Sequence, residues 1–336
     1  MATTLGPSAN VPSSRTGDGG GAQGGRRGLR RALAPIADAR GLPRWLLYAG
    51  AALTLLFVVF AIFAPLVAPY HFDQYQVGGH RFAQLAPPSA AHWFGTNVRQ
   101  TDVFSSVVFG SRTALEVVVL AVVLSLIVGV PLGLISGYFG GVLDRILVLI
   151  MDALFAFPYL LLAIVIAFLL AGATGGGVVT AAVAITVVYV PQYFRVVRNS
   201  VISVREEPYV EAARALGARP RTIISRYVAF NVIQTVPVIA TLNAADSILT
   251  LAGLGFLGYG IQPTVAAEWG YDLQRAIPDA GAGIWWTATF PGLAIVLLVT
   301  GLTLVGEGLN DVLNPVLRQR VHTKLVMPPA QGEVES

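Results

Sequence analysis

Two carboxylates, Asp152 and Asp246, stand inside stretches that otherwise carry no charge. Ionised groups in such surroundings relay protons, serve as a catalytic pair, or hold an internal ion pair. An aspartyl protease of the membrane would use the pair, but its Gly-x-Gly-Asp signature is absent. A proton relay through Asp152 and Asp246 would make the chain a proton-coupled secondary transporter, the alternative kept here. The structural reading pairs Asp152 with a neighbouring helix or with Arg145, two turns away; for Asp246 the structural and pathway readings stay open. Other chemistry is scarce. The chain has no cysteine, so disulfides and thiolate metal sites are excluded within it. Its four histidines, His71, His80, His92 and His322, all lie outside the predicted spans, and neither HExxH nor GxSxG occurs. Gly253-Leu254-Gly255-Phe256-Leu257-Gly258 fits the dinucleotide fingerprint, yet it closes an apolar segment instead of joining a strand to a helix. Close helix packing is the expected role. The single lysine, Lys324, sits between Thr323 and Leu325 with no glycine-rich lead, so no phosphate-binding loop can be built on it.

The elements that must position these groups are membrane helices. Hydrophobic residues make up 55% of the 336 and charged residues only 12%, about half the usual share of roughly 25% in soluble domains. Charge is absent from Trp45 to Phe72, Val117 to Leu143, Ala153 to Phe194 and Ala280 to Gly306. A bilayer core of about 30 Å takes roughly 20 apolar helical residues. The gaps predict six spans near 45–67, 114–137, 146–171, 177–197, 232–258 and 286–309, with a hinge at Gly172–Gly177. Continuous apolar runs favour helices over a barrel. The fold class is therefore all-α and polytopic. Residues 1–44 read as a disordered, basic tail, 68–112 and 259–285 as external segments, 113–317 as the main membrane domain, and 318–336 as a second tail. Tryptophans 269, 285 and 286 suit anchoring at the membrane interface. The basic residues sort by side: Arg26 to Arg44, Arg145, Arg195 to Arg226, Arg318 and Arg320 on one, and Arg81, Arg99, Arg112 and Arg275 on the other. The positive-inside rule puts both termini in the cytoplasm. The net charge of +4 is thus a matter of topology and gives no sign of nucleic-acid binding.

Gly129, Gly133, Gly137 and Gly141 recur every four residues and would let a second helix approach closely, with Gly140-Gly141 already in a turn. The segment 195–231 is too long for a simple connection. Glu206 and Glu207 before Pro208 suit a helix start. Tyr209, Ala212, Ala213 and Leu216 share one face, Gly217 is placed to end the helix, and Pro220 can open a second one. A helix, a glycine corner and another helix outside the lipid make a docking knob, with Glu211 and the arginines fixing its register.

Glu211-Ala212-Ala213, followed by Gly217, Ile223 and Asn231, resembles the EAA loop of bacterial ABC importer permeases. Tyr227 and Phe230 stand where that pattern usually has a histidine and a proline. From about 45 to 317 the chain resembles the C-type permease of dipeptide, oligopeptide and nickel importers. The matching landmarks include His92–Thr96 with Asp102 and Ser105, Phe157-Pro158, Phe290-Pro291-Gly292 and Gly306–Asp311, ending at Asn314-Pro315; the usual Gly-Arg-Asp is here Gln100-Thr101-Asp102. Leu251–Gly260 departs from the usual run. The resemblance implies a type I importer fold in the plasma membrane, with Glu211, Ala212, Ala213, Gly217, Ile223 and Asn231 in a coupling helix. It also implies a homologous second permease, two ATPase subunits or domains that bind ATP and Mg, and an external substrate-binding protein. The chain itself would hold no cofactor and hydrolyse no ATP. Peptides are the implied substrates, with nickel or haem-like solutes as further options.

Overall fold

The computed structural model of the chain describes residues 42–313. Most of the expected basic tail, the Asn314-Pro315 landmark and the segment 318–336 lie outside the described residues. The elements run α1 (Leu42–Val67), β1 (Gln76–Val77), β2 (His80–Arg81), α2 (Val103–Phe139), α3 (Gly141–Ala156), α4 (Tyr159–Thr174), α5 (Val178–Val204), α6 (Pro208–Ala215), α7 (Pro220–Thr222), a π-helical stretch (Ile223–Val228), α8 (Ala229–Val232), α9 (Val236–Phe256), α10 (Trp269–Gly281) and α11 (Trp286–Leu313). Among the described residues five helices are each long and apolar enough to cross a membrane, and the bent pair α3–α4 makes a sixth if it counts as one span.

α5 lies at the centre of the bundle. The glycine stripe of α2 packs on it: a Cβ at Gly129, Gly133 or Gly137 would stand within 2.8 Å of Tyr193, Phe194 or Arg198 and Val201 atoms, respectively. Backbone-to-backbone approach of this kind raises dispersion contact where lipid offers no hydrophobic drive. α11 packs α1 on one side and α9 on the other. The apolar core joins α2, α4, α5, α9 and α11 around Val117, Ala182, Ile185, Leu254 and Leu298, all fully or almost fully buried.

The expected third span, 146–171, is not one helix. It breaks between Ala156 and Tyr159, and α3 and α4 meet at 97°. The cause is local. Pro158 has no N–H to donate, and a residue before proline avoids helical angles; Phe157 accordingly sits extended at φ −76°, ψ 140°.

α2 begins at Val103, inside the segment expected to be external loop, because Asp102 caps it. The Asp102 carboxylate is fully buried and accepts from Ser105 N at 2.8 Å and Ser105 Oγ at 2.7 Å, with His92 Nδ1 3.0 Å from its other oxygen. That knot explains why His92, Asp102 and Ser105 occur together. Gln100, in the tight turn before it, takes a left-handed φ of 64° at the position where the resemblance expects glycine.

The expected loop 259–285 holds α10. Its capping residue is Glu268, buried, whose two oxygens accept from Gly270 N at 2.7 Å and Tyr271 N at 2.8 Å. The expected interfacial tryptophans divide. Trp269 and Trp286 are buried struts whose indole N–H groups donate to the carbonyls of Val107 and Thr96, both at 3.1 Å. Trp285 alone of the three is exposed. Aromatic residues here bind the loops to α2 and the segment before it, which hydrophobicity alone could not distinguish from anchoring.

Asp272 on α10 is buried, and its Oδ2 has no hydrogen-bond partner among the described residues. Burial pushes this carboxyl up to about 7, with the charge of Arg99 pulling the other way; burial also pushes Glu268 up to about 8 against its two backbone donors. The folded state therefore holds protons that the unfolded chain sheds near pH 4. Stability from these groups is full below that pH and is lost as pH rises through 7 to 8. Hydrogen exchange of α10, corrected for intrinsic rates, should be faster at pH 8.5 than at 5.5. Asp272→Asn should reduce that difference and leave the part due to Glu268. An unchanged pH dependence in Asp272→Asn would remove Asp272 from the account.

Candidate functional site

The segment between α5 and α9 folds as a built corner. Glu207 sits extended before Pro208, which supplies the preset φ of a first helical residue. Glu211 lies in the first turn and Arg214 in the last, each placed to favour the helix dipole. Gly217 N donates to Arg214 O at 3.0 Å and Ala218 N to Ala213 O at 3.1 Å. Those two bonds form a Schellman close, which needs a left-handed residue, and Gly217 has φ +79°. Arg219 is extended, and Pro220 starts the return.

The inner side of the corner is apolar. Val210, Ile223, Val228 and Val232 are buried with Val197 and Val201 of α5 and Val236 of α9. Asn231 completes the brace. Its Nδ2 donates to the Tyr209 hydroxyl at 3.1 Å and to the Tyr227 carbonyl at 2.6 Å, tying the return segment to α6. From Ile223 to Val228 the return is π-helical, a geometry concentrated at functional sites. This stretch includes Tyr227.

The structure brings all six expected residues into this unit but divides the face expected to hold Tyr209, Ala212, Ala213 and Leu216. Ala213 turns inward beside Val210 and Ile223 is fully buried, so these positions fix the shape. Glu211, Ala212 and Gly217 are exposed, Tyr209 is 42% exposed and Leu216 89%. A Cβ on Gly217 would meet nothing within 4 Å. The corner therefore presents a bare leucine, flanked by Glu211, Arg214, Arg219 and Arg221, on a rigid base.

Arginines of α5 link this base to α2 and α3. Arg198 binds Asp144 through two nitrogens at 2.6 and 2.7 Å, Ser136 shares the same carboxylate, and Arg205 Nη1 donates to Gly137 O at 2.9 Å. One turn up, Arg195 pairs with Asp152 at 2.7 Å, and its guanidinium lies 4.1 Å from the Phe155 ring centroid. Asp152 thus has an arginine partner, but across the bundle rather than Arg145 on its own helix. The pairing was hidden because it depends on how α3 and α5 pack.

Asp246 is elsewhere. It lines a cavity of about 570 Å³ between the α3–α4 break, α5 and α9, and Asp152 is not among the lining residues. Asp152 is paired with Arg195 and no hydrogen bond joins the two carboxylates among the described residues, so neither a relay between them nor an aspartyl pair gains support. The GxGxxG segment is helix packing: Gly253 faces Leu160, Gly255 faces Glu268, and Gly258 closes α9 with φ +84°. Sequence reasoning missed Glu268 and Asp272; the only available signal was a glutamate just before Trp269-Gly270, and glutamate is an uncommon helix cap.

Residues 129–319, which contain the whole corner and both helices that carry it, match the sequence pattern of binding-protein-dependent transport system inner membrane components. The chain belongs to this family. Residues 44–88 match the N-terminal transmembrane domain of oligopeptide transport permease C. The dipeptide transport system permease protein of Alkalihalophilus pseudofirmus is 39% identical over 265 residues, covering 78% of this chain and 83% of the relative. Glutathione transport system permease proteins of Shigella flexneri serotype 5b and Escherichia coli O157:H7 are 38% and 36% identical over the same length, covering 79% of this chain and 84% of each relative. As an ABC importer permease the chain is a multi-pass membrane transport subunit and not an enzyme. Membership also accounts for the apolar helices without recourse to proton coupling.

Proposed function

We propose that this permease forms half of the pathway of a plasma-membrane importer for di- and oligopeptides, and that its corner at 208–231 takes the stroke of a separate ATPase. The reading rests on the contrast within the corner: a bare Leu216 and an exposed Glu211 on a base locked by Ile223, Asn231 and the Schellman close. A single exposed leucine is ordinary on a protein surface; what supports a docking role is its place on a locked corner that matches the coupling loop of importer permeases. The remaining partners are a homologous second permease, a second ATPase subunit or domain, and an external binding protein. ATP and Mg would be held by the ATPases. Relatives that carry dipeptides and glutathione support a peptide substrate. The arginine distribution supports cytoplasmic termini and a cytoplasmic corner.

The mechanism is a transfer of rigid motion. Because Val210 and Ile223 are packed with Val197 and Val201, displacement of α6 moves the end of α5 with it. The Arg198–Asp144 and Arg205–Gly137 contacts pass that motion to α2 and α3. An ATPase that grips the corner differently with and without ATP shifts the balance between inward-open and outward-open bundles by its difference in grip.

The absence of cysteine offers a direct test. Leu216→Cys, placed in the assembled transporter, should cross-link to a cysteine in the cleft of the ATPase in a nucleotide-dependent way. It should also react with membrane-impermeant thiol reagents only from the cytoplasmic side. Cross-links that never reach the ATPase, or labelling from outside, would refute the assignment.

A further inference from the structure

We infer that Asp246 is a specificity-determining residue that receives the protonated amino group of the peptide as it crosses; this rests on the peptide-import reading above. The observation is a carboxylate with no ion-pair partner among the described residues, exposed near the middle of a membrane-spanning helix. An ionised carboxylate facing lipid at that depth costs about 2.5–3.5 kcal/mol, so it must face water or protein. It does face a cavity, of about 570 Å³, a volume within the usual range of small-molecule sites. The cavity lies at the break in the span, where Phe157 and Pro158 line it. Irregular backbone at membrane depth is tolerated where it borders protein or a water-filled passage.

The lining is selective in chemistry. Asp246 is the one charged residue among the lining side chains, Gln192 is an amide, and Phe157, Tyr159 and Tyr189 are aromatic. The nearby Tyr189 hydroxyl is already engaged: its Oη lies 3.0 Å from Thr250 Oγ1, which itself donates to the backbone carbonyl of Asp246 at 3.0 Å. The carboxylate is left uncommitted beside aromatic faces, which attract cations through their quadrupole. Phe155, a fourth aromatic residue of the lining, already carries the Arg195 guanidinium 4.1 Å from its ring centroid. A small organic cation attached to an apolar or aromatic residue fits this lining, which describes the amino end of a short peptide. An anionic solute without an ammonium group does not.

The test uses the complete transporter in proteoliposomes with its binding protein, and a dipeptide carrying a diazirine side chain. In the wild type, light should attach the probe to the 155–162 segment. Asp246→Asn should cut uptake and labelling by on the order of tenfold, the size expected from loss of a charged hydrogen bond. ATP hydrolysis stimulated by the loaded binding protein should persist. Asp246→Glu, which keeps the charge, should retain labelling and most uptake. Full uptake and labelling in Asp246→Asn would overturn the inference and leave the import reading standing. Loss of the second permease from purified Asp246→Asn complexes would also overturn it, placing the carboxylate against a partner subunit. A wild type that imports no peptide would defeat the import reading first and this inference with it.

Discussion

Gly217→Val should cut uptake severely while leaving the protein folded and in the membrane. Gly217 stands in open space, where an added Cβ would meet nothing within 4 Å. The penalty is in the backbone. A left-handed residue costs about 1–2 kcal/mol for side chains other than glycine, and more for β-branched ones. The valine chain escapes by giving up the Gly217–Arg214 and Ala218–Ala213 bonds, which re-aims Leu216 and unhooks α6 from the return segment. The bundle is untouched, since its core lies in other elements. Uptake should fall on the order of 100-fold, the upper range of a coupling free energy. Peptide binding by the external protein should be normal. Gly217→Asn is the control, because asparagine tolerates the left-handed region; it should transport at near the wild-type rate. Normal uptake in Gly217→Val would end the claim that the corner is the coupling element.

The second large effect is on stability. Gly255→Ala should destroy the folded protein or nearly so, whereas Gly253→Ala, two residues earlier, should be tolerated. A Cβ at Gly255 would lie 1.7 Å from Glu268 Oε2 and 2.8 Å from Tyr271 N. There is no flexible end to yield: Glu268 is buried and its oxygens cap α10. Either the cap is lost, leaving buried donors and a buried carboxylate unsatisfied, or α9 and α10 separate. Each route costs about 3 kcal/mol or more. At Gly253 the added Cβ meets the Cδ1 of Leu160 at 3.0 Å, the far end of a side chain that can rotate. Thermal unfolding in detergent followed by size-exclusion chromatography separates the cases. Equal melting temperatures for the two variants would mean that the cap does not hold α10.

How much of this was legible in the sequence depends on whether the determinant was local. The corner was readable because its signals are short-range: Glu207-Pro208 for a start, Gly217 for a close, Pro220 for a restart. The spans were readable from charge gaps, which reflect the solvent and not the neighbours. The break at Phe157-Pro158 carried its own local cause, yet the continuous apolar run masked it. What could not be read were facts of packing. Ala212 and Ala213 are identical in type and adjacent, and only contact with Ile223 and α5 decides which is buried. Arg145 and Arg195 are equally plausible partners of Asp152 until the relation of α3 to α5 is fixed. Trp269 and Trp285 differ only in what lies beside them. The buried carboxylates of α10 left almost no trace, since Glu268 does a task that shorter side chains usually perform.

The naked Leu216 has a consequence for the cell as well as for transport. On the proposed coupling role, the corner around the exposed Leu216 stays bare in any copy that has not met its ATPase, and that bare corner marks the copy for chaperones or proteases. Cells making this subunit in excess should clear the surplus, and its abundance should follow that of its ATPase even when its own messenger RNA does not change.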